Sequence, residues 1–270
     1  PKPLPFFSEA LASAVLKNQS KTTNEFILVI HDITQLRQLN SMRRDFISNV
    51  SHELRTPVSV IRANSETLLE SALEDKKQAK VFANAILHNS ERLTEMVTDL
   101  LDLSRIEHGE LKLHIEKLNL QECIDQSIDS LKNLGKKKNV VIKCKCPNKT
   151  QHVLADKKAL ERILTNLIDN AFKYTEEDSV INIATKTKHK DDNILISITD
   201  SGKGIPDKDK LVIFDRFFRT AEARASEKKG SGLGLAIVKN LVNSLNGDVG
   251  VKNAPNNKGS QFWITLPIAR

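Results

Sequence analysis

The chain has 270 residues, 39% of them hydrophobic and 28% charged, with only 10 Gly and 8 Pro; this is the make-up of a globular protein of about two domains and excludes a low-complexity chain. Its net charge is +7 with one Tyr and one Trp; without interleaved aromatics or a zinc-finger or RNA-binding motif, the runs Lys136, Lys137, Lys138 and Lys228, Lys229 read as solvated surface, not a nucleic-acid face. Three cysteines, Cys123, Cys144 and Cys146, cannot all pair within the chain and form no metal quartet, which points to a reducing compartment.

The N-terminus, PKPLPFF, has no basic region ahead of an apolar one and is not a signal peptide. No run approaches the roughly 18 apolar residues of a membrane helix. The chain opens on Pro1 instead of Met, which suggests an excised fragment and leaves room for a membrane anchor upstream. Within residues 1–33 the run EFILVIHDIT suits a strand, the last of a domain that begins earlier.

From about Thr34 to Ile106 there is one Pro and almost no Gly, which predicts two long helices with a break near Ser71 to Lys77. On the first, Phe46, Ile47, Val50, Leu54, Val58, Ile61 and Leu68 share an arc of roughly 120°. On the second, Ile86, Leu93 and Leu100 recur every seven residues, with Met96, Val97 and Leu103 between them, the pattern of a bundle seam. Two amphipathic helices of this length need cover, and a four-helix bundle made by two chains supplies it.

Gly109 ends the helical region. ELKLHIEKLNL and NVVIKCKC read as strands, ADKKALERILTNLIDNAFKYT as a helix, and SVINIATKTK and NILISITD as a strand pair. A Gly-initiated helix, LGLAIVKNLVNSLNG, and the strands DVGVKN and SQFWITLP follow. The pattern predicts an α/β sandwich, a mixed sheet covered on one face. Cys144 and Cys146 fall on one face of their strand and read as a pair of small buried hydrophobes.

His52 lies about 170° from the middle of the apolar stripe of its helix, so its imidazole points to solvent. Glu53 follows it, Thr56 sits one turn on along the same face, and Pro57 removes the backbone donor to Glu53 and loosens the helix there. A neutral imidazole is a competent nucleophile near pH 7 when a neighbour accepts its other proton. Glu53 is placed to do so, and such assistance contributes about 10² to 10⁴ in rate.

Further on, Asn166, Asn170 and Lys173 share a helix face. DSGKGIP puts Asp200 at the end of an apolar strand, followed by Gly202 and Gly204, which let backbone approach a ligand closely. Gly230, Gly232 and Gly234 lead into a helix whose N-terminal amides suit phosphate. This is neither a Walker loop nor a dinucleotide fingerprint.

The ordered blocks SHELRTP, NLIDNAFKYT, DSGKGIP, FDRFFR and GSGLGLAIVK, within a match from about Gln35 to Leu266, resemble the sensor histidine kinases that join a HisKA-type dimerisation domain to a GHKL-type ATPase domain. The resemblance implies an α+β multidomain chain: residues 1–33 as the end of a PAS-like sensor domain, 34–108 as the antiparallel helical hairpin of a dimeric four-helix bundle, and 109–270 as an α/β sandwich of Bergerat type that binds ATP. It implies His52 as phosphoacceptor, Glu53 as its activator, and Thr56 as the residue that positions water when phosphate is removed from the partner. Asn170 would hold Mg²⁺ against the triphosphate, Asn166 and Lys173 would lie along the phosphates, and Tyr174 against the nucleotide. Asp200 would accept from the adenine amino group, with Gly202 and Gly204 shaping the base pocket and Gly230, Gly232, Leu233 and Gly234 closing over the phosphates. Phe214, Phe217 and Arg219 match the family's F-box, Arg219 offsetting charge on the transferred group.

The stretch from Arg219 to Gly230 lacks an apolar anchor and reads as a mobile lid; Lys203, Lys228 and Lys229 read as solvated, with contact to the nucleotide as the alternative. Ile106 to Leu113 is the candidate hinge. The implied partners are a second copy of the chain and the receiver domain of a response regulator, with no nucleic acid and no membrane contact within these residues. The implied place is the cytoplasmic portion of a bacterial protein anchored in the inner membrane. EFILVIHDITQLRQLN is most like the phosphate-responsive sensor kinases. ATPases of the same fold from chaperones, topoisomerases or mismatch repair lack the SHELRTP helix, and intact motifs argue against a non-catalytic scaffold.

Overall fold

The computed structural model describes residues 8–14, 26–72, 75–132, 138–146, 151–188, 192–225, 230–255 and 258–269. PKPLPFF, Lys136, Lys137, Lys228 and Lys229 lie outside them, as do two residues of the expected helix break. The chain divides into two compact units, Pro1–Thr56 and Pro57–Arg270.

In the first unit, β1 (Ser8–Ala14) and β2 (Phe26–Asp32) pair antiparallel, Ser8 opposite Asp32 and Ala14 opposite Phe26. The EFILVIHDIT run thus forms a strand, but one with a partner earlier in the chain. Asp32 ends β2 and caps α1 (Thr34–Thr67), its Oδ1 accepting from the Thr34 N–H at 2.8 Å, which satisfies one of the donors a helix start leaves open. The helix runs through Pro57 and passes into a π-helical turn, Leu68–Ala72.

In the second unit, Asp75 caps α2 (Lys76–Glu107), accepting from Lys77 and Gln78. Gly109, at φ +68°, ends it; that left-handed conformation is one that glycine adopts without a Cβ clash. Of the expected hinge Ile106 to Leu113, the first two residues still belong to α2 and the rest has no regular structure; just beyond it the His114 N–H donates to Asp156 Oδ2 at 2.9 Å.

The expected strand ELKLHIEKLNL is shorter than its alternation suggests. Only β3 (Glu116–Asn119) is extended, and α3 (Leu120–Ser130) takes over. Asn119 explains the switch, since its Oδ1 accepts from the N–H groups of Gln121 and Glu122. The buried positions Leu120, Cys123, Ile124 and Ser127 then follow helical spacing. A strand not expected from the sequence, β5 (His152–Ala155), pairs antiparallel with β3.

The main sheet has the order β4-β6-β7-β9-β8, formed by β4 (Val141–Lys145), β6 (Val180–Lys188), β7 (Asn193–Thr199), β8 (Val249–Asn253) and β9 (Ser260–Pro267). Only β4 and β6 run parallel. Helix α4 (Lys157–Tyr174) packs on α3, on β7 and on a later helix that runs Gly234–Ser244. The core between these layers holds Ile163, Leu167, Ile183, Ile196, Ile237 and Ile264, each 0–1% exposed. This is the mixed sheet covered by helices that the sequence predicts.

Three expectations are corrected here. Cys144 is exposed and Cys146 only half-buried, because β4 is an edge strand. Lys138 is no free surface charge: its Nζ donates to the Phe172 carbonyl at 2.7 Å and reaches those of Lys173 and Thr175, a cation on the open carbonyls of a helix end. Met96 and Leu103 do not belong to an open seam; both are fully buried, while Val97 and Leu101 remain exposed.

Candidate active site

His52 and Thr56 are exposed on α1 and Glu53 is half-buried. The Thr56 hydroxyl donates to the His52 carbonyl at 3.3 Å, so the helix itself engages this side chain. With Pro57 inside the helix, the Glu53 carbonyl has no N–H donor four residues on.

In the second unit a cavity of about 730 Å³ gathers most of the other expected residues: Asn166, Asn170, Lys173, Tyr174, Asp200, Gly204, Arg219, Gly230, Gly232 and Gly234. Helix α4 begins at its cap Asp156, which accepts from the Ala159 N–H, and its polar side presents Asn166 and Asn170 at a spacing of one turn. Asn166 Nδ2 donates to the Arg162 carbonyl at 2.9 Å. Lys173 is salt-bridged to Asp169 at 2.5 Å, so it would have to exchange partners to reach a phosphate.

Asp200 is 6% exposed at the end of β7. Its Oδ1 accepts from the backbone N–H groups of Gly202 (2.8 Å) and Ser260 (3.1 Å), which fixes the carboxylate. Gly202 does not line the cavity but underlies it: a Cβ there would lie 2.4 Å from the Tyr174 carbonyl oxygen. The Thr175 and Ser201 hydroxyls, 2.7 Å apart, tie the same turn to the end of α4.

Opposite lies the glycine loop. Gly232 has φ +72°, and a Cβ would meet the Phe217 backbone at 2.8 Å; the Phe217 N–H donates to the Gly232 carbonyl at 2.9 Å. A Cβ on Gly234 would fall 2.7 Å from Asn166 Oδ1. The Leu233 side chain is fully buried and absent from the cavity lining, so it anchors the loop in the core. Two short helices, α5 (Asp207–Lys210) and α6 (Ala221–Ala225), flank the F-box, and α7 is the helix Gly234–Ser244. Phe214 is buried and stacks edge-on with Phe262 at 6.4 Å. Arg219 donates to the Ala223 carbonyl.

Several lining residues escaped the sequence reading. Helix α2 packs against α7 and contributes His88, Glu91, Glu95 and Asp99 to the cavity wall. Asp99 pairs with Arg162, and Ser231 Oγ lies 3.5 Å from its other oxygen. Burial pushes the Asp99 carboxyl above its ordinary range, against the pull of Arg162. Glu107 pairs with Arg216. Arg162 was legible as one more helical turn before Asn166; Asp99 and Glu107 carry no local signal. Among the described residues no group of three or more His, Cys, Asp or Glu is arranged to hold a metal ion.

A mixed sheet under three helices, with a fixed buried carboxylate, two amides and a glycine loop around one cavity, defines a nucleotide-binding ATPase domain preceded by a long helical segment. Residues 155–270 match the family of histidine kinase-, DNA gyrase B- and HSP90-like ATPases, and residues 42–109 match the His kinase A phosphoacceptor domain. Sensor histidine kinase WalK of Bacillus subtilis is 33% identical over 254 residues, covering 94% of this chain and 41% of that protein. The sensor-like histidine kinase SenX3 of Mycobacterium bovis is 34% identical over 241 residues, covering 89% and 58%. Among solved structures, Acinetobacter baumannii histidine kinase AdeS matches with TM-score 0.66 at 25% identity, over 81% of this chain and 98% of that one. The histidine kinase ThkA, solved with the response regulator protein TrrA, shares the fold with TM-score 0.66 at 23% identity, over 96% and 75%. The chain belongs to the sensor histidine kinase family of two-component systems. It spans about half the length of these curated relatives.

Proposed function

We propose that the protein is an ATP-dependent histidine kinase that phosphorylates His52 and passes the phosphoryl group to an aspartate of a response regulator. The observation that carries this reading is the cavity itself. A fixed buried acceptor, Asp200, stands on one side and the Asn166, Asn170 and glycine-loop group on the other, which suits the amino edge of adenine and a polyphosphate respectively. His52 lies within the matched His kinase A phosphoacceptor domain and is exposed on α1.

The nitrogen of neutral His52 that bears no hydrogen attacks the γ-phosphorus of ATP. An N–P bond forms, the bond to the bridging oxygen breaks, and ADP leaves with the electron pair. Glu53 takes the proton from the other ring nitrogen. In the second transfer a regulator carboxylate forms an O–P bond as the N–P bond breaks. The Asn170 amide oxygen, half-buried in the cavity wall, is a hard donor that fits Mg²⁺; the ion would neutralise phosphate charge. Arg219 would do the same for the group in flight. Thr56 would orient a hydrolytic water on the phosphorylated regulator, giving a phosphatase activity.

Two copies are proposed to form a four-helix bundle. Ile47, Val58, Val81, Leu87, Val97 and Leu101 are 43–65% exposed on α1 and α2, apolar surface that such a bundle would cover. Among the described residues no helix is long and apolar enough to cross a membrane. We place this part of the protein in the cytoplasm, where ATP is supplied and its three free thiols stay reduced; an anchor in the inner membrane belongs to the same proposal.

Incubation with γ-labelled ATP and Mg²⁺ is expected to give an acid-labile, base-stable phosphoprotein, and His52→Gln to give none. Label that persists in His52→Gln would remove the phosphoacceptor assignment.

A further inference from the structure

Cys144 and Cys146 stand outside the cavity and take no part in the proposed phosphotransfer. Cys144 lies in β4, on the edge of the main sheet, and Cys146 directly follows that strand, with their Sγ atoms 3.1 Å apart. Cys144 is exposed, and Gln121 Nε2 of α3 approaches its sulfur at 3.9 Å. The third thiol, Cys123, is buried in α3.

Residues two apart in a strand have Cα atoms roughly 6.6 Å from each other, inside the span that a disulfide bridges. The two sulfurs already face one another, so closure needs only a small rotation of the side chains. A metal site would need more than this pair offers, since structural zinc takes four ligands and no group of three or more candidate ligands exists among the described residues.

We propose that Cys144 and Cys146 form a vicinal dithiol that hydrogen peroxide oxidises reversibly to an intrachain disulfide. One thiolate attacks a peroxide oxygen; an S–O bond forms, the O–O bond breaks, and hydroxide leaves and is protonated to water. The second sulfur then attacks the sulfenic sulfur; the S–S bond forms, the S–O bond breaks, and a second water leaves with the remaining thiol proton. The protein loses two electrons and one peroxide is reduced to two waters. A thiol reductant reverses the step by exchange.

The electrostatics of Cys144 disfavour metal capture. Partial burial of its sulfur, and then the neighbouring Cys146, push the Cys144 thiol up to about 12. Cys144 therefore holds its proton, which a metal, as a ligand of thiolates, would have to displace. An exposed two-residue bridge on a sheet edge belongs with the labile, reducible disulfides.

The test uses the folded 270-residue chain, treated with hydrogen peroxide, then denatured, alkylated with N-ethylmaleimide and mapped by mass spectrometry. Cys144 and Cys146 are expected to lose their alkylation together, to appear as one linked peptide short of the two thiol hydrogens, and to regain both labels after dithiothreitol. Cys123 is expected to stay alkylated throughout. In Cys144→Ser, with unchanged circular dichroism, the linked peptide is expected to vanish and Cys146 to become trappable as a sulfenic acid. The proposal is overturned if both thiols remain alkylated after peroxide, if they go to sulfinic or sulfonic acids that dithiothreitol does not restore, or if the links formed join separate chains. None of these readouts depends on kinase activity.

Discussion

Asp99 of α2 is paired with Arg162 of α4 at the wall of the nucleotide cavity, and the Ser231 hydroxyl of the glycine loop reaches the same carboxylate. One acidic side chain thus links the second long helix to both walls of the ATP site. Burial dominates its titration and raises its pKa, with Arg162 pulling the other way. A raised folded-state value means that the protonated form is favoured in the fold. The stability that this lends is full below the ordinary carboxylate value of about 3.9 and is lost as pH rises through the folded value.

Asp99→Asn, which fixes the neutral form that burial favours, is expected to leave the thermal midpoint at pH 7 unchanged or higher. That difference should shrink as pH falls below the raised value and be smallest near pH 4, where the unfolded carboxyl also takes up its proton. Melting both proteins at pH 7 and pH 4 checks it. A fall in stability of about 3 kcal/mol or more at pH 7, the scale of a buried pair broken to one side, would show that Arg162 outweighs burial.

The glycines around the cavity separate by space. Gly202→Ala places a Cβ 2.4 Å from the Tyr174 carbonyl oxygen and is expected to cost about 1–3 kcal/mol of stability, the range for overpacking. Gly230→Ala meets nothing within 4 Å and is expected to melt within about 0.5 kcal/mol of the parent. Urea unfolding of the two variants decides it; equal losses would mean that contact is not what Gly202 avoids.

Much of this site was legible because it is local. Asn166 and Asn170 sit one turn apart, the glycines cluster at the start of α7, and Asp200 closes an apolar strand. The angle of His52 on its helix gave its exposure. What stayed hidden depends on partners distant in sequence. Asp99 meets Arg162 only because α2 packs on α7, and Lys138 caps α4 only because the chain returns to it 34 residues later. The burial of the Leu233 side chain was hidden because it stands among glycines of the loop. Helix α3 was lost to the alternation of the preceding LKLHIEKL; the stop signal was the single cap Asn119.

Asn170 lines the cavity on the same helix face as Asn166, and the proposed role is to offer a neutral oxygen to Mg²⁺ beside the phosphates. Asn170→Asp adds a charge there without changing size. It is expected to abolish labelling of His52 by ATP, a loss of at least about 100-fold, in line with removal of a charge-stabilising group, while the melting midpoint stays within a few degrees. Labelling at the parent rate would remove Asn170 from the reaction.

Thr56 offers the sharpest separation between the two proposed activities. Its hydroxyl is engaged by the His52 carbonyl one turn back, and the side chain is exposed, so truncation opens no cavity and should change stability by no more than about 0.5 kcal/mol. The imidazole of His52 needs Glu53, not Thr56, to lose its proton, and phosphorylation by ATP should run at the parent rate in Thr56→Ala. Hydrolysis of the phosphorylated regulator needs a water held in line, and a lost donor there costs about 10- to 100-fold when positioning alone is affected. Following label on His52 and on a purified receiver domain in parallel measures both. Equal slowing of the two steps would show that Thr56 supports the helix around His52 instead of the water.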